Sequence, residues 1–263
     1  MSATTVRGPC APLDHGDAAD VARIWTFDGY GEGRIAWELT RPEHHVWMGL
    51  RDPAGRLVGV HRGLVWHRHL LLKGLCVDAP TAGPTASLTL ALAMRDEARA
   101  RGLTGVAAWV EPHRREAHLA QRLRLTPTTP LVHRFLLPAG RGGAGPVDGG
   151  PLSGVVEMPP TAEPLLTPGL PGEPTSLPEA VTRVAWLLDR DRLLVAGVPG
   201  PDLGGLREFL TEVAERAGVR PVAFEVALPA ADLLVSLGLT RSGAHRASRT
   251  PVRLAVTPGR GAS

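Results

Sequence analysis

The chain has 263 residues, 43% hydrophobic and 21% charged. That composition fits a globular protein and excludes a mostly disordered, collagen-like or membrane-spanning chain. The formal net charge is only +3, and Lys73 is the single lysine among 29 basic residues. With 31 Gly and 25 Pro, the arginine excess reads as the codon bias of a GC-rich genome. Arginines alternate with acids, as in Arg95-Asp96-Glu97, so a solvated surface is expected rather than a nucleic-acid face. Cys10 and Cys76 make neither a metal-ligand spacing nor a disulfide framework, and Cys76 reads as a core thiol. The first residues lack an apolar run of the signal-peptide type, which sets the expectation of a cytoplasmic protein.

In chain order, Asp14 and Asp17 are candidate N-caps for a helix running to Phe27, with Ala18, Val21, Ala22 and Trp25 on one side. Glu43 to Leu50 reads as a strand. Asp52-Pro53-Ala54-Gly55 is a turn, and Arg56 to Trp66 completes a hairpin. Leu70 to Val77 is a third strand. A loop over Asp78–Thr85 leads into a long helix that Gly102 stops. Val106–Val110, a short helix Arg114–Arg124 and Leu131–Leu137 follow.

Residues 138–178 hold ten prolines and nine glycines. This is linker chemistry, although an extended piece such as Val155-Val156 could dock on a domain. The expected organisation is an N-terminal domain over 1–137, a linker over 138–178 and a C-terminal domain over 179–263. In the last part, Leu193–Val198, a helix Leu206–Ala217, Val222–Val226, a short helix Ala230–Leu237 and Arg249–Val256 are the expected elements. The two halves register on one another. Gly102 precedes Val106 as Gly218 precedes Val222, and Leu123-Arg124-Leu125 answers Leu237-Gly238-Leu239, which points to an internal duplication.

The order helix, hairpin, strand, glycine-bearing loop, long helix, strand, short helix, strand over about 12–137 resembles the GNAT acyltransferase superfamily. Residues of about 179–256 resemble a truncated second copy. The resemblance implies an α/β (α+β) chain of two tandem copies, each a mixed sheet flanked by helices. It also implies acetyl-CoA, or another acyl-CoA, as co-substrate and no metal. The pyrophosphate of that co-substrate would lie on loop amides and the following helix N-terminus, where free N–H groups and the helix dipole stabilise an anion. The corresponding residues are Leu75, Cys76, Val77, Ala82, Gly83, Thr85, Ala86 and Ser87. Ala82 stands where the family motif has Arg or Gln. Pro84 removes an amide donor, while Thr85 and Ser87 add hydroxyls. The second copy offers Val198 to Leu206, richer in glycine but with Asp202 and no arginine.

The family's general-acid tyrosine has no counterpart, since the one tyrosine is Tyr30. The resemblance leaves Glu111, His67 and His113 as candidate bases near the end of the strand cleft. It also places Tyr30, Glu32 and Trp37 on the acceptor side. Each has a plainer alternative: Glu111 as a helix cap, His67 or His69 as an edge residue, and His44-His45 as loop residues. Gly29-Tyr30-Gly31-Glu32-Gly33 reads either as a mobile lid or as a turn between helices. The splayed strands after Leu75 and Val106 would supply backbone donors.

The functional expectation is an acyl-CoA-dependent N-acyltransferase, acetylating a small amine or amino-acid derivative. The alternative is a repurposed scaffold that binds a ligand or partner without acyl transfer. A small-molecule partner, neither nucleic acid nor membrane, and a monomer or homodimer complete the expectation.

Overall fold

The structure is a computed structural model. It describes residues 10–27, 30–66, 69–78, 82–83, 85–110, 115–123, 126–127, 132–139, 150–158, 165–166, 182–196, 198–199, 205–228 and 247–255, and every structural statement below concerns these. Two compact units result. The first takes residues 1–109, 114–126 and 253–263; the second takes 110–113 and 127–252.

The first unit opens with a short strand β1 (Cys10–Pro12) and a single 3-10 turn, His15–Asp17. Asp14 and Asp17 form a capping box across that turn. The Asp14 carboxylate accepts the Gly16 amide at 2.9 Å, and the Asp17 carboxylate accepts the Asp14 amide at 3.0 Å. Helix α1 (Ala18–Ile24) follows and buries Ala18, Val21 and Ile24. Helix α2 (Glu32–Leu39) comes next, in line with the reading of the glycine stretch as a turn between helices, and takes Glu32 and Gly33 into its first turn. Gly33 lies inside it with open space at its missing Cβ, so tertiary packing of Ile35 and Leu39 outweighs the poor helix propensity of glycine.

Strands β2 (His45–Arg51) and β3 (Leu57–Trp66) form the expected hairpin. The Asp52 carboxylate accepts the amides of Ala54 and Arg56, and Gly55 sits at φ +83°. Strand β4 (His69–Val77) pairs antiparallel with β3, and β5 (Gly105–Val110) pairs parallel with β4. The sheet order is therefore β1-β2-β3-β4-β5. Helix α3 (Ala86–Ala100) buries Ala86, Leu90, Ala91, Met94 and Ala98 against β2, β3 and β4. Helices α1 and α2 cover the other face over Trp47, Val60 and Cys76. Helix α4 (Arg115–Arg122) ends the run.

The second unit is built on β6 (Val132–Pro138), β7 (Ser153–Met158), β8 (Thr182–Asp189), β9 (Arg192–Ala196), helix α5 (Leu206–Arg216), β10 (Ala223–Leu228) and residues 247–252 of β11 (Ala247–Ala255). Its strand order is β11-β6-β10-β9-β8-β7, with β9 and β10 parallel and the other pairs antiparallel. As the sequence allowed, Val155 and Val156 dock as an extended piece: they lie in β7, a six-residue strand inside the Pro/Gly-rich stretch. Strand β8, absent from the expected elements, is apolar from Val184 to Leu188 and buried throughout, so it lacks the alternation that marks a half-exposed strand. Helix α5 buries Leu206, Phe209, Leu210, Val213 and Ala214. The short helix expected at Ala230–Leu237 lies outside the described residues.

The two helices that the sequence registers on one another end in the same way, while Leu237–Leu239 lie outside the described residues. At the end of α3, Gly102 N–H donates to Arg99 O at 2.9 Å and Leu103 N–H to Ala98 O at 2.9 Å. At the end of α5, Gly218 N–H donates to Glu215 O at 3.0 Å and Val219 N–H to Ala214 O at 3.0 Å. Residues 98, 99, 102 and 103 map to 214, 215, 218 and 219, so the offset is 116 throughout. Both are Schellman caps, and both glycines take the left-handed region, at φ +68° and +66°.

Candidate functional site

The site of interest lies where β4 parts from β5. Their parallel ladder pairs His69–Leu72 with Gly105–Ala108. The separation thus begins beyond Leu72 and Ala108, an earlier point on β4 and a later one on β5 than the Leu75 and Val106 expected from sequence. Its cause is visible on the other edge of β4. There Gly63 pairs with Leu72 and Arg62 with Gly74, so Lys73 is the extra residue of a β-bulge. A bulge bends and over-twists its strand. The one lysine of the chain therefore stands at the point where the central strands diverge.

Beyond the bulge, half-buried Leu75, buried Cys76 and half-buried Val77 complete β4. The chain then turns toward α3: the Ala82 amide donates to Asp78 O at 2.8 Å, and Gly83 adopts φ +73° with open space where a Cβ would stand. Thr85 is the N-cap of α3 but makes no side-chain cap, and the first turn carries no acid. Thr85 O instead accepts the amide and hydroxyl of Thr89. Gly83 and Thr85 are exposed, Ala86 is buried and Ser87 is half-buried. The helix thus presents an N-terminus unblocked by any side chain of its own cap, which suits an anion such as a pyrophosphate.

On the α1/α2 face, the structure builds a feature the sequence did not disclose. Glu38, in α2, is completely buried. Its carboxylate accepts Arg62 Nε at 2.7 Å and Nη2 at 2.9 Å, Arg34 Nε at 3.0 Å and Trp47 Nε1 at 3.1 Å. His45 Nδ1 stands 3.5 Å from the same carboxylate. Burial alone would raise the Glu38 pKa. The charges of Arg62, His45 and Arg34, with the Arg62 hydrogen bond, outweigh burial and hold it below the ordinary carboxylate value. His45, read as a loop residue, is instead the first residue of β2 and buried. A lone signal in the sequence was Arg62 within the apolar run Leu57–Trp66, since a buried guanidinium requires an acidic partner.

Above Arg62 lies an aromatic cluster. The guanidinium carbon is 5.1 Å from the Tyr30 ring centre and 5.9 Å from that of Trp47. Trp25 stacks obliquely with Phe27 at 4.9 Å, and edge-on with Tyr30 at 5.7 Å and Trp47 at 4.7 Å. This cluster reaches β4 directly. A Cβ on Gly74 would meet Trp25 at 2.7 Å and Phe27 at 3.0 Å, so two aromatic rings rest on the backbone just past the bulge. Phe27 remains 47% exposed there.

Of the acceptor-side residues, Tyr30 joins this cluster, while Glu32 is exposed at the first turn of α2. Trp37 lies elsewhere on α2, stacked by Arg34 at 4.2 Å and Arg41 at 4.0 Å, with the His45 ring at 5.7 Å. Glu111, His67 and His113 lie outside the described residues. His69 is buried, with Thr104 Oγ1 at 3.4 Å from its Nε2. On the α3 face, His61 is buried and its pKa is pushed down by that burial to about 4, opposed by a hydrogen bond with the Leu90 backbone. Among the described residues no group of three or more His, Cys, Asp and Glu converges, and no helix is long and apolar enough to cross a membrane.

The first unit thus has a parallel strand pair that parts at a bulge, followed by a glycine turn and a helix N-terminus. Comparison with solved structures places it. The GCN5-related N-acetyltransferase from Sphaerobacter thermophilus matches at 14% identity over 95% of this chain and 96% of that one, with a TM-score of 0.50. A tandem GNAT protein from the clavulanic acid biosynthesis pathway matches at 14% identity over 95% of this chain and 98% of that one, TM-score 0.47. An N-acetyltransferase from Staphylococcus aureus matches at 17% identity over 47% of this chain and 86% of that one, TM-score 0.40. No protein-family model matches the sequence, and no curated protein matches it. The chain has the GNAT fold, mixed sheets flanked by helices.

Proposed function

We propose that the protein is an acyl-CoA-dependent N-acyltransferase whose first unit holds acetyl-CoA and whose acceptor is a small amine or amino-acid derivative. The observation that carries the reading is the divergence of β4 and β5 at the Lys73 bulge, with β4 leading on to an α3 N-terminus that has no side-chain cap. Amides at Gly83 and Ser87, the Ala86 amide once released from Gly83 O, and the hydroxyls of Thr85 and Ser87 would receive the pyrophosphate. The backbone of β4 from Leu75 to Val77 would align the pantetheine arm along the strand.

The chemistry asks little of side chains. The neutral amine nitrogen forms a bond to the acyl carbon, the carbon–sulfur bond breaks, and the amine proton passes to a base as the thiolate leaves. Glu111, His67 and His113 are the proposed proton acceptors. A second reading, a scaffold that binds a ligand or partner without acyl transfer, is favoured by Ala82 at the arginine position and by the absence of any tyrosine besides Tyr30.

The test is thermal unfolding with excess acetyl-CoA, followed by thiol release in the presence of an amine panel. Ligand at ~100 times its dissociation constant adds about 2.7 kcal/mol of stability. Stabilisation together with amine-dependent thiol release supports the transferase. Stabilisation without release supports the second reading. If no acyl-CoA stabilises the protein, the transferase reading fails.

A further inference from the structure

We propose that Glu38 is a positioning residue for the reaction site: acting through Arg62, it holds the aromatic roof of Trp25, Phe27 and Tyr30 against β4 at the Lys73 bulge and so keeps water from the acyl group. This rests on the transferase reading for its functional consequence, not for its geometry.

The connection is continuous. Glu38 grips Arg62 through two hydrogen bonds at 2.7 and 2.9 Å and grips Trp47 through a third at 3.1 Å. Arg62 lies beneath Tyr30, and Trp47 meets Trp25 edge-on at 4.7 Å. Arg62 is also the register partner of Gly74, the residue on which Trp25 and Phe27 rest. The acid therefore sits beneath the roof at the level where β4 leaves β5.

Two observations distinguish this from ordinary core packing. A buried ion pair is often no more stabilising than apolar residues of the same size, so it is a costly way to fill a core, and a role in fixing geometry is its better-attested use. Here the pair sets the orientation of side chains that a purely apolar core would leave freer. The roof also contains an unmet donor: Trp25 Nε1 is buried and has no hydrogen-bond partner among the described residues. A buried unpaired donor costs free energy, so the indole is held in place by its surroundings rather than by a bond of its own. Gly74 completes the arrangement, because only a missing side chain lets the rings reach the strand backbone.

The test compares the wild type with the double variant E38L/R62M, which removes the carboxylate together with its more deeply buried arginine and leaves Arg34, 20% exposed, within reach of water. Glu38→Gln serves as the conservative variant, because its amide can still accept from Trp47 and Arg62. Two quantities are read: amide hydrogen exchange in peptides covering Trp25–Phe27 and Leu75–Val77, and release of thiol from acetyl-CoA with water as the only acceptor. The double variant is expected to fold and still to bind acetyl-CoA. Its roof peptides should exchange faster and its acetyl-CoA hydrolysis should rise about 10-fold, because an opened site admits water. Glu38→Gln should fall between the two. A folded double variant with unchanged exchange at Trp25–Phe27 overturns the pinning. Faster exchange with unchanged hydrolysis overturns the water-excluding role. If the wild type binds no acyl-CoA, it is the transferase reading that fails, and the exchange measurement alone still decides whether Glu38 pins the roof. If the double variant does not fold, the same exchange comparison is made on Glu38→Gln, where unchanged roof exchange overturns the pinning.

Discussion

Helices α3 and α5, one in each unit, agree at one end and differ at the other. The C-terminal ends of α3 and α5 carry the same Schellman cap, bond for bond, at an offset of 116 residues. The N-terminal ends have diverged. Helix α3 begins after a left-handed glycine, Gly83, with no acid in its first turn. Helix α5 begins at Gly205, in an ordinary negative-φ conformation (φ −93°), with Glu208 in its first turn. A carboxylate there stabilises the helix by itself and repels a bound anion. The cap shared by both copies serves folding, and the end that differs is the one that would meet a phosphate. That contrast favours the proposed placement of the co-substrate in the first copy.

The largest predicted effect tests what the first copy has built on its α1/α2 face. Glu38→Ala strands Arg62 in the core, takes a partner from half-buried Arg34 and should cost about 3–5 kcal/mol. In native-state hydrogen exchange, amides of α3 should lose more protection than those of α5. The pH dependence has a definite sign. Because the folded pKa of Glu38 lies below its ordinary value of 4.5, its stabilisation is complete above that value and is lost as pH falls through the lower folded value.

His61 gives the next effect. Its folded pKa of about 4 lies below the ordinary 6.5, so stability is full above pH 6.5 and declines as pH falls toward 4. That drop corresponds to about 3 kcal/mol at most. Urea midpoints of His61→Gln measured from pH 7 to 4 should be flatter than those of the wild type.

Gly83→Glu places a charge and a strained backbone at the open N-terminus of α3. It should abolish the roughly 2.7 kcal/mol of stabilisation by saturating acetyl-CoA, whereas Gly205→Glu should leave it intact. The reverse result would move the co-substrate to the second copy. Gly74→Val should push Trp25 and Phe27 from β4 and cost about 1–3 kcal/mol, with a change in tryptophan fluorescence. Smallest and most symmetric, Gly102→Ala and Gly218→Ala should each cost about 1 kcal/mol in chemical unfolding, since both occupy the left-handed region. Unequal costs would break the equivalence of the two caps.

Much of this fold was legible in local residues. The Asp52–Gly55 turn, the glycines that end α3 and α5, and the apolar runs of β3 and β4 each state their own conformation through short-range sterics and hydrogen bonding. The repeat was legible for the same reason. Strand β8 was not, because an apolar run without alternation takes its structure from what it packs against. For the candidate site, the glycine turn before α3 was visible in sequence, and Glu38 was not. An isolated acid on a short helix acquires meaning only when Arg62, Arg34 and Trp47, from three points of the chain, converge on it.

Sequence alone therefore determined the duplicated helix caps, the hairpin and the exceptional standing of Lys73 among 29 basic residues. The arginine skew that marks the composition also made Ala82 informative, as an arginine is missing where an anion site would want one. Only the tertiary structure decided that Lys73 is the bulged residue at which β4 leaves β5, and that a single buried carboxylate lies under the aromatic roof beside it. The reason is physical. Turns and caps are set by bonds within a few residues, whereas strand register and the pairing of buried charges depend on partners in other elements, as with Glu38 and Arg62, 24 positions apart.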